Sequence, residues 1–161
     1  MTAISINAER LLRRVRDLGQ IGRDRDGRLV RLAGSDADKA GRDAFVAWVR
    51  EAGLDVAIDW VGNIFGVSSD DANAGEAPVL VRSHIVELVE GSARARGLAS
   101  KRMTSGAGHD AQMIARIAPS AMIFVPSLGG ISHNPSERTS DADLVAVASI
   151  LLDVVTRLAS R

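Results

Sequence analysis

Apolar residues recur at helical intervals in the first part of the chain. Leu11, Val15 and Leu18 are three or four positions apart and alternate with charged residues. This spacing places them on one face, so it predicts an amphipathic helix over about residues 6–18 with a polar face rich in arginine.

A second helix is predicted over about residues 35–53. Ser35 or Asp36 stands before the periodic stretch as an N-cap, and Gly53 stands just after it, where a left-handed residue often ends a helix. The apolar face of this helix comprises Ala37, Ala40, Ala44, Trp48 and Val49.

The pattern then changes to the alternation that is typical of strands. Residues 54–60, with the sequence LDVAIDW, alternate polar and apolar positions as a half-buried strand does. Gly62 and Asn63 predict a two-residue turn into a second strand, IFGV, and therefore a hairpin.

Two short apolar runs predict buried strands: PVLVRS, residues 78–83, and AMIFVP, residues 121–126. The stretch 84–102 could be a helix entered directly from the first of them, and GHDAQMIARIA predicts a short helix before the second. The inward side of the helix after residue 84 would carry Ile85, Leu88 and Val89.

The last segment predicts a long helix with Ser140 as its N-cap. Its apolar stripe comprises Leu144, Val147, Ala148, Leu151, Val154, Val155 and Leu158. The order of elements favours parallel strands joined by crossover helices, an α/β fold, over an all-helical bundle.

Composition limits the chemistry that this fold could carry. The 161 residues include 20 Lys and Arg against 20 Asp and Glu, so the formal net charge is zero and nucleic acid is not expected as a partner. Cysteine is absent, which excludes thiolate ligands and a cysteine nucleophile and leaves His, Asp and Glu as strong metal ligands. No signal peptide or membrane span is evident, and a cytoplasmic location is expected.

The three histidines are the main candidates for a site. His84 follows one predicted strand and His133 follows the other, and ligand sites in α/β sheets collect beyond the carboxyl ends of strands. His109 lies in the segment SGAGHDAQ between them. The alternative is that each histidine only hydrogen-bonds a loop or ends a strand, and spacing alone does not separate the two interpretations.

Three stretches carry a resemblance to a known family. MTSGAGHDAQMIARIAPSAMIFVPSLGGISHNPSE resembles the C-terminal signature of the zinc-dependent amidohydrolases that include N-carbamoyl-L-amino-acid hydrolase, allantoate amidohydrolase and ureidoglycolate amidohydrolase. The run from LGQIGRDRDG to IFGV is similar to that family's opening helices and hairpin, and APVLVRSH to the strand that ends in its first metal-binding histidine. The resemblance implies a three-layer zinc-peptidase-like catalytic domain, with a reduced mixed sheet flanked by helices.

The same resemblance implies a metal-dependent hydrolase of amide or ureido bonds. His84 matches the family's first metal ligand and His133 its last, with zinc as the expected ion and manganese, nickel or cobalt as substitutes. His109, Asp110 and Gly108 match a motif that lines the substrate pocket, and Gly106 belongs to the same stretch. Asn134 and Glu137 would support the loop of His133 from outside the ligand set.

Several features of the family pattern are missing. About two dozen residues separate Ser83 from Gly106, where the family carries further ligands, a catalytic glutamate pair and a lid and dimerisation domain. Val86 replaces a family aspartate, and Val89 stands where the general base would be, so no catalytic base is assigned. Asp110 or Glu87 could serve as a replacement ligand. Asp110 could equally cap the helix that begins there, and the alternative for Glu87, a solvated carboxylate on a helix surface, is favoured over a ligand.

Two hypotheses follow for a single truncated catalytic domain over residues 1–161, with an N-terminal part of about 1–85 and a C-terminal part of about 96–161. The chain is either a metal-dependent amidohydrolase acting on a small ureido or amide substrate, or a non-catalytic remnant of such a domain that acts as a binding or self-associating module. A homodimer is expected if the surface that a lid would cover is exposed.

Overall fold

The computed structural model describes residues 4–59, 62–67, 82–103, 105 and 107–159, and within them the chain is mostly helical. The elements in chain order are α1 (Ala8–Gln20), α2 (Asp36–Glu51), β1 (Asp55–Ile58), β2 (Ile64–Val67), α3 (Arg82–Ala95), α4 (Ala111–Ile114), a 3-10 turn (Leu128–Gly130) and α5 (Asp141–Ala159). They divide into two compact units, one of residues Met1–Leu12 with Pro78–Arg161 and one of Arg13–Ala77.

Side-chain caps define where the first two helices begin. Asn7 Oδ1 accepts a hydrogen bond from the backbone N–H of Arg10 at 2.9 Å, next to the start of α1. Ser35 Oγ accepts from Asp38 N at 3.1 Å, so Ser35 is the N-cap of α2, and Gly53 follows its end with φ of 78°. Both predicted helices are confirmed, with α1 shifted two residues along the chain.

The predicted hairpin is confirmed, but its connection is longer than two residues. β1 and β2 are antiparallel, with Asp55 opposite Val67 and Ile58 opposite Ile64. Asp59 and Asn63 close the loop, since Asp59 N donates to Asn63 O at 3.1 Å and Asn63 N donates to Asp59 Oδ1 at 2.8 Å. The connection between Ile58 and Ile64 is therefore longer than the predicted turn at Gly62 and Asn63.

The hairpin packs against α2, which provides the apolar surface that two isolated strands lack. Val49 of α2 is buried, and a Cβ added to Gly66 would lie only 3.0 Å from Val49 Cγ1 and 3.1 Å from Leu54 Cδ1. The absence of a side chain at Gly66 therefore allows the strand to approach the helix closely.

The predicted parallel strands do not form within the described residues. The sheet found within the described residues is the two-stranded antiparallel hairpin. The predicted mixed sheet of a three-layer α/β fold is not found in this part of the chain. Residues 78–81 lie outside the described part, and Arg82 and Ser83 already belong to α3. The prediction of a buried strand at 121–126 is wrong, because this segment forms no strand with any described residue, and Met122 and Phe124 are exposed.

The core of the first unit lies between α3 and α5. The buried residues are Leu88 and Ala93 of α3 and Ile150 and Val154 of α5. Around them pack Ile85, Val89, Ile123 and Leu158. The predicted helix after residue 84 and its inward residues are thus confirmed, and hydrophobic burial is what joins the two helices.

The predicted cap of α5 is confirmed, but its apolar stripe is confirmed only in part. Ser140 Oγ accepts from Asp143 N at 3.1 Å. Leu151 and Val155 are about half exposed, while Ile150, which the predicted stripe omitted, is buried. The helix is apolar over more than one face, so its sequence does not determine which apolar residues meet α3.

A polar link crosses the same helix pair. Ser92 of α3 is fully buried and donates to Asp153 Oδ2 of α5. Arg96 contributes two hydrogen bonds of 2.8 Å to the same carboxylate. The guanidinium of Arg96, and then the hydroxyl of Ser92, lower the pKa of Asp153 to about 2.

Candidate metal site

His84 lies in the first turn of α3, at the start of the helix that carries the core. Its ring is half-buried, and Nε2 is inaccessible to solvent without a hydrogen-bond partner among the described residues. A buried polar atom without a partner is unfavourable by about 1–3 kcal/mol, so it usually marks a position with a bound water, ion or ligand. Among the described residues, the imidazole nitrogen Nε2 of His84 is therefore free to bind a metal ion, as a metal-ligand histidine requires.

The carboxylates that follow His84 on α3 are in different situations. Glu87, the predicted replacement ligand, is exposed. Glu90 accepts two hydrogen bonds from Arg102, at 2.8 and 2.7 Å, and these bonds lower the pKa of Glu90. Since Glu90 is already held by an arginine, it is a poor candidate for a ligand that would complete a site with His84.

The predicted pocket motif forms a small cluster around His109. Ser105 Oγ lies 2.7 Å from His109 Nε2, and the imidazole meets the ring of Phe124 edge to face at 5.7 Å. Asp110 stands at the N-cap position of α4, exposed and without a side-chain cap bond, and α4 is only one turn long. A Cβ added to Gly108 would meet no protein atom within 4 Å, and Gly106 lies outside the described residues.

The loop of His133 is held by its own side chains. His133 has φ of 54°, a left-handed conformation that is rare for residues other than glycine. Its backbone N–H donates to Glu137 Oε2 at 2.8 Å, and Asn134 Oδ1 accepts from Ser136 N at 2.9 Å. Glu137 thus supports the loop, as the resemblance implies, and the imidazole of His133 is exposed.

These candidates do not form a recognisable metal site. In the part of the chain that the structure describes, no three His, Asp or Glu side chains lie together so that they could hold an ion. A catalytic zinc takes about three protein ligands. The described residues therefore do not fit a catalytic metal centre. The assignment of His84, His133, Asp110 and Glu87 as ligands stays a prediction.

Two polar groups were not predicted from the sequence. Ser105 and His109 are four positions apart in an irregular segment, where spacing alone does not predict a contact. Ser92 and Asp153 could have been suspected because Asp153 interrupts an apolar helix. A charged residue at such a position usually has a partner on the neighbouring helix.

The predicted family is confirmed by comparison with known proteins. Residues 19–157 match peptidase family M20/M25/M40, and this match covers most of the chain. The chain therefore belongs to this family.

Several of the similar proteins are named as amidohydrolases. The chain is 51% identical to the allantoate amidohydrolase of Bacillus subtilis (strain 168) over 63 residues, which are 39% of this chain and 15% of that enzyme. It is 42% identical over 84 residues to the allantoate amidohydrolase of Escherichia coli (strain K12), covering 52% and 20% of the two chains. It is 34% identical over 106 residues to the N-carbamoyl-L-amino-acid amidohydrolase of Paenarthrobacter aurescens, covering 65% and 26%. These matches span about a quarter or less of each relative.

No helix in the described residues is both long and apolar enough to cross a membrane.

Proposed function

We propose that this protein belongs functionally to the metal-dependent hydrolases of amide or ureido C–N bonds in linear amides, of the N-carbamoyl amino acid or allantoate type. Its family and the names of its relatives support this chemistry. The structural observation that supports it is the buried Nε2 of His84, which lacks a hydrogen-bond partner among the described residues as a ligand nitrogen without its metal would.

The proposed ligands are His84 and His133, with Asp110 or Glu87 as a third. The proposed ion is zinc, with manganese, nickel or cobalt as substitutes. His109, Asp110 and Gly108 are proposed to line the substrate pocket. We further propose a cytoplasmic protein that acts on a small molecule and binds neither nucleic acid nor membranes, in line with its zero net charge.

A second candidate function is that of a non-catalytic module, which binds a partner or a second copy of the chain. It is favoured by the engagement of two carboxylates, one on the helix of His84 and one in the loop of His133. Glu90 is held by Arg102, and Glu137 accepts from the backbone of His133. Both carboxylates thus have protein partners in the fold.

Metal analysis followed by an activity assay separates the two candidates. The purified protein is stripped with a chelator, reloaded separately with zinc, manganese, nickel or cobalt, and assayed for bound metal and for hydrolysis of N-carbamoyl amino acids and allantoate. The hydrolase proposal expects near-stoichiometric metal that is lost in His84→Ala and in His133→Ala. It also expects His109→Ala to retain metal while hydrolysis falls, because His109 is assigned to the pocket.

A folded protein that takes up no metal and hydrolyses neither substrate would contradict the hydrolase proposal. Circular dichroism of each variant checks that it is folded. In that case, gel filtration would test the second candidate, which expects a dimer or larger species.

A further inference from the structure

The unit of residues Arg13–Ala77 contains a cleft of about 540 Å³. This unit contains none of the residues proposed above as metal ligands or as the lining of the substrate pocket. Its lining combines apolar and charged side chains, among them Leu29, Phe45, Ile64, Arg31, Arg42 and Asp38.

Two glycines, Gly22 and Gly41, leave the space that the side chain of Arg31 occupies in this cleft. A Cβ added to Gly22 would lie 2.5 Å from Arg31 Cγ, and one added to Gly41 would lie 2.8 Å from Arg31 Nη1. Gly41 is buried in the middle of α2, where glycine is less favourable than alanine by roughly 0.5–1 kcal/mol. The space that this glycine leaves is filled by the guanidinium of Arg31.

Arg42 follows Gly41 on the same helix and places a second guanidinium in the cleft. Its Nη2 lies 3.5 Å from the position that a Cβ on Gly62 would take. Arg31 and Arg42 are both half-buried, and neither forms an ion pair or side-chain hydrogen bond with any residue that the structure describes. In the same unit, Arg14 binds Glu51 at 2.6 Å and Arg28 binds Asp24 at 2.7 Å.

Among the described residues of the cleft lining, one carboxylate partly offsets these two charges. Asp38 Oδ2 accepts from the backbone N–H of Gly34 at 3.1 Å. Two arginines and one aspartate give the described lining residues a net charge of +1. A guanidinium binds a carboxylate or a phosphate through two parallel, charge-assisted hydrogen bonds, so two arginines in one cleft favour an anionic ligand.

We propose that this cleft binds a small organic oxyanion, a carboxylate or phosphate group carried on an apolar body. Arg31 and Arg42 bind the oxyanion, and Phe45, Leu29 and Ile64 contact the apolar part. All three apolar side chains line the cleft, and Phe45 and Leu29 are largely exposed within it. This site is independent of the proposed hydrolase chemistry.

Titration of the full chain, followed by amide NMR shifts, tests the proposal. The probes are benzoate and phenyl phosphate, with inorganic phosphate for the oxyanion alone and benzamide as a neutral match of benzoate. We expect benzoate or phenyl phosphate to bind with a dissociation constant of about 1 mM or below, and to shift the amides of Arg31, Gly41 and Arg42. The stronger of the two identifies the carboxylate or the phosphate as the natural group.

Variants then test the role of the arginines. Arg31→Gln and Arg42→Gln should each weaken binding about 10-fold or more, because each removes charge-assisted hydrogen bonds. Arg50→Gln, on the exposed last turn of the same helix, is the matched control and should leave binding unchanged. Equal binding of benzamide and benzoate, no binding of either anion, or equal weakening by Arg50→Gln would overturn the proposal. The comparison of benzoate with benzamide needs no variant, so a variant that fails to fold leaves the test intact.

Discussion

The helix pair α3–α5 and the segment 105–137 belong to the same unit but are organised differently. In the helix pair, Ile150 is 7% exposed and the core is continuous across the two helices. In the segment, Phe124 is 50% exposed, and α4 is a single turn. The segment nevertheless contains two of the three histidines.

The difference shows that an apolar helix and a sequence with strand periodicity need different partners to become ordered. A helix satisfies its backbone hydrogen bonds internally, so α3 and α5 need only bury a face against each other. Residues 121–126 alternate half-buried and exposed positions, and Ile123 packs against the helix core. They have the periodicity of a strand, but among the described residues no neighbouring strand receives their hydrogen bonds.

The largest expected effect is loss of core packing in the helix pair. Ile150→Ala should lower the free energy of unfolding by about 2–5 kcal/mol, because it leaves a cavity against α3. Met122→Ala, at an exposed position of the segment 121–126, should lower the free energy of unfolding by less than about 1 kcal/mol. Urea denaturation of both variants gives the two values, and equal losses would remove the distinction between the regions.

The polar link between α3 and α5 should have the next largest effect. Asp153→Asn should lower stability by about 1–2 kcal/mol, because Arg96 and the fully buried Ser92 both lose a charged acceptor. Glu90→Gln is the matched control, because it weakens an ion pair with the exposed Arg102 and should cost less. A loss at Glu90 as large as that at Asp153 would contradict the role of the buried serine.

The same carboxylate should make the helix pair sensitive to acid. The pKa of Asp153 is lowered to about 2, below the roughly 3.9 of an unfolded chain. Its contribution is therefore fully present above about pH 4 and is lost as the pH falls towards about 2. Urea denaturation at neutral pH and near pH 3 measures the stability that each protein loses on acidification. This loss should be about 1 kcal/mol smaller for Asp153→Asn than for the unmodified chain. Identical pH dependence would show that other carboxylates account for the loss.

The smallest effect is expected in the loop of His133. His133→Gly should raise stability by up to about 1 kcal/mol, because glycine adopts a positive φ without strain. Ser132→Gly is the control: Ser132 does not have a positive φ, so glycine there should be slightly destabilising. Destabilisation by His133→Gly, measured by thermal denaturation without metal, would indicate that the imidazole itself stabilises the loop.

Local signals in the sequence predicted a large part of the fold. Ser35 and Ser140 were recognisable as N-caps, because their hydroxyls stand before periodic apolar stretches. The hairpin was recognisable from alternation, but the pairing of Ile58 with Ile64 makes its connection longer than the predicted two residues. The candidate site was predicted only residue by residue, from the family resemblance, since whether side chains meet at a point depends on how distant segments pack.

The sequence by itself determined the family, most of the helices and the left-handed position of Gly53, because these depend on neighbouring residues and their spacing. Only the tertiary structure decided that Ile150 rather than Leu151 is buried. It also decided that, within the described residues, 121–126 pair with no strand and Nε2 of His84 is buried without a hydrogen-bond partner. Burial and pairing are properties of two segments at once, and the pattern within either segment alone does not contain them.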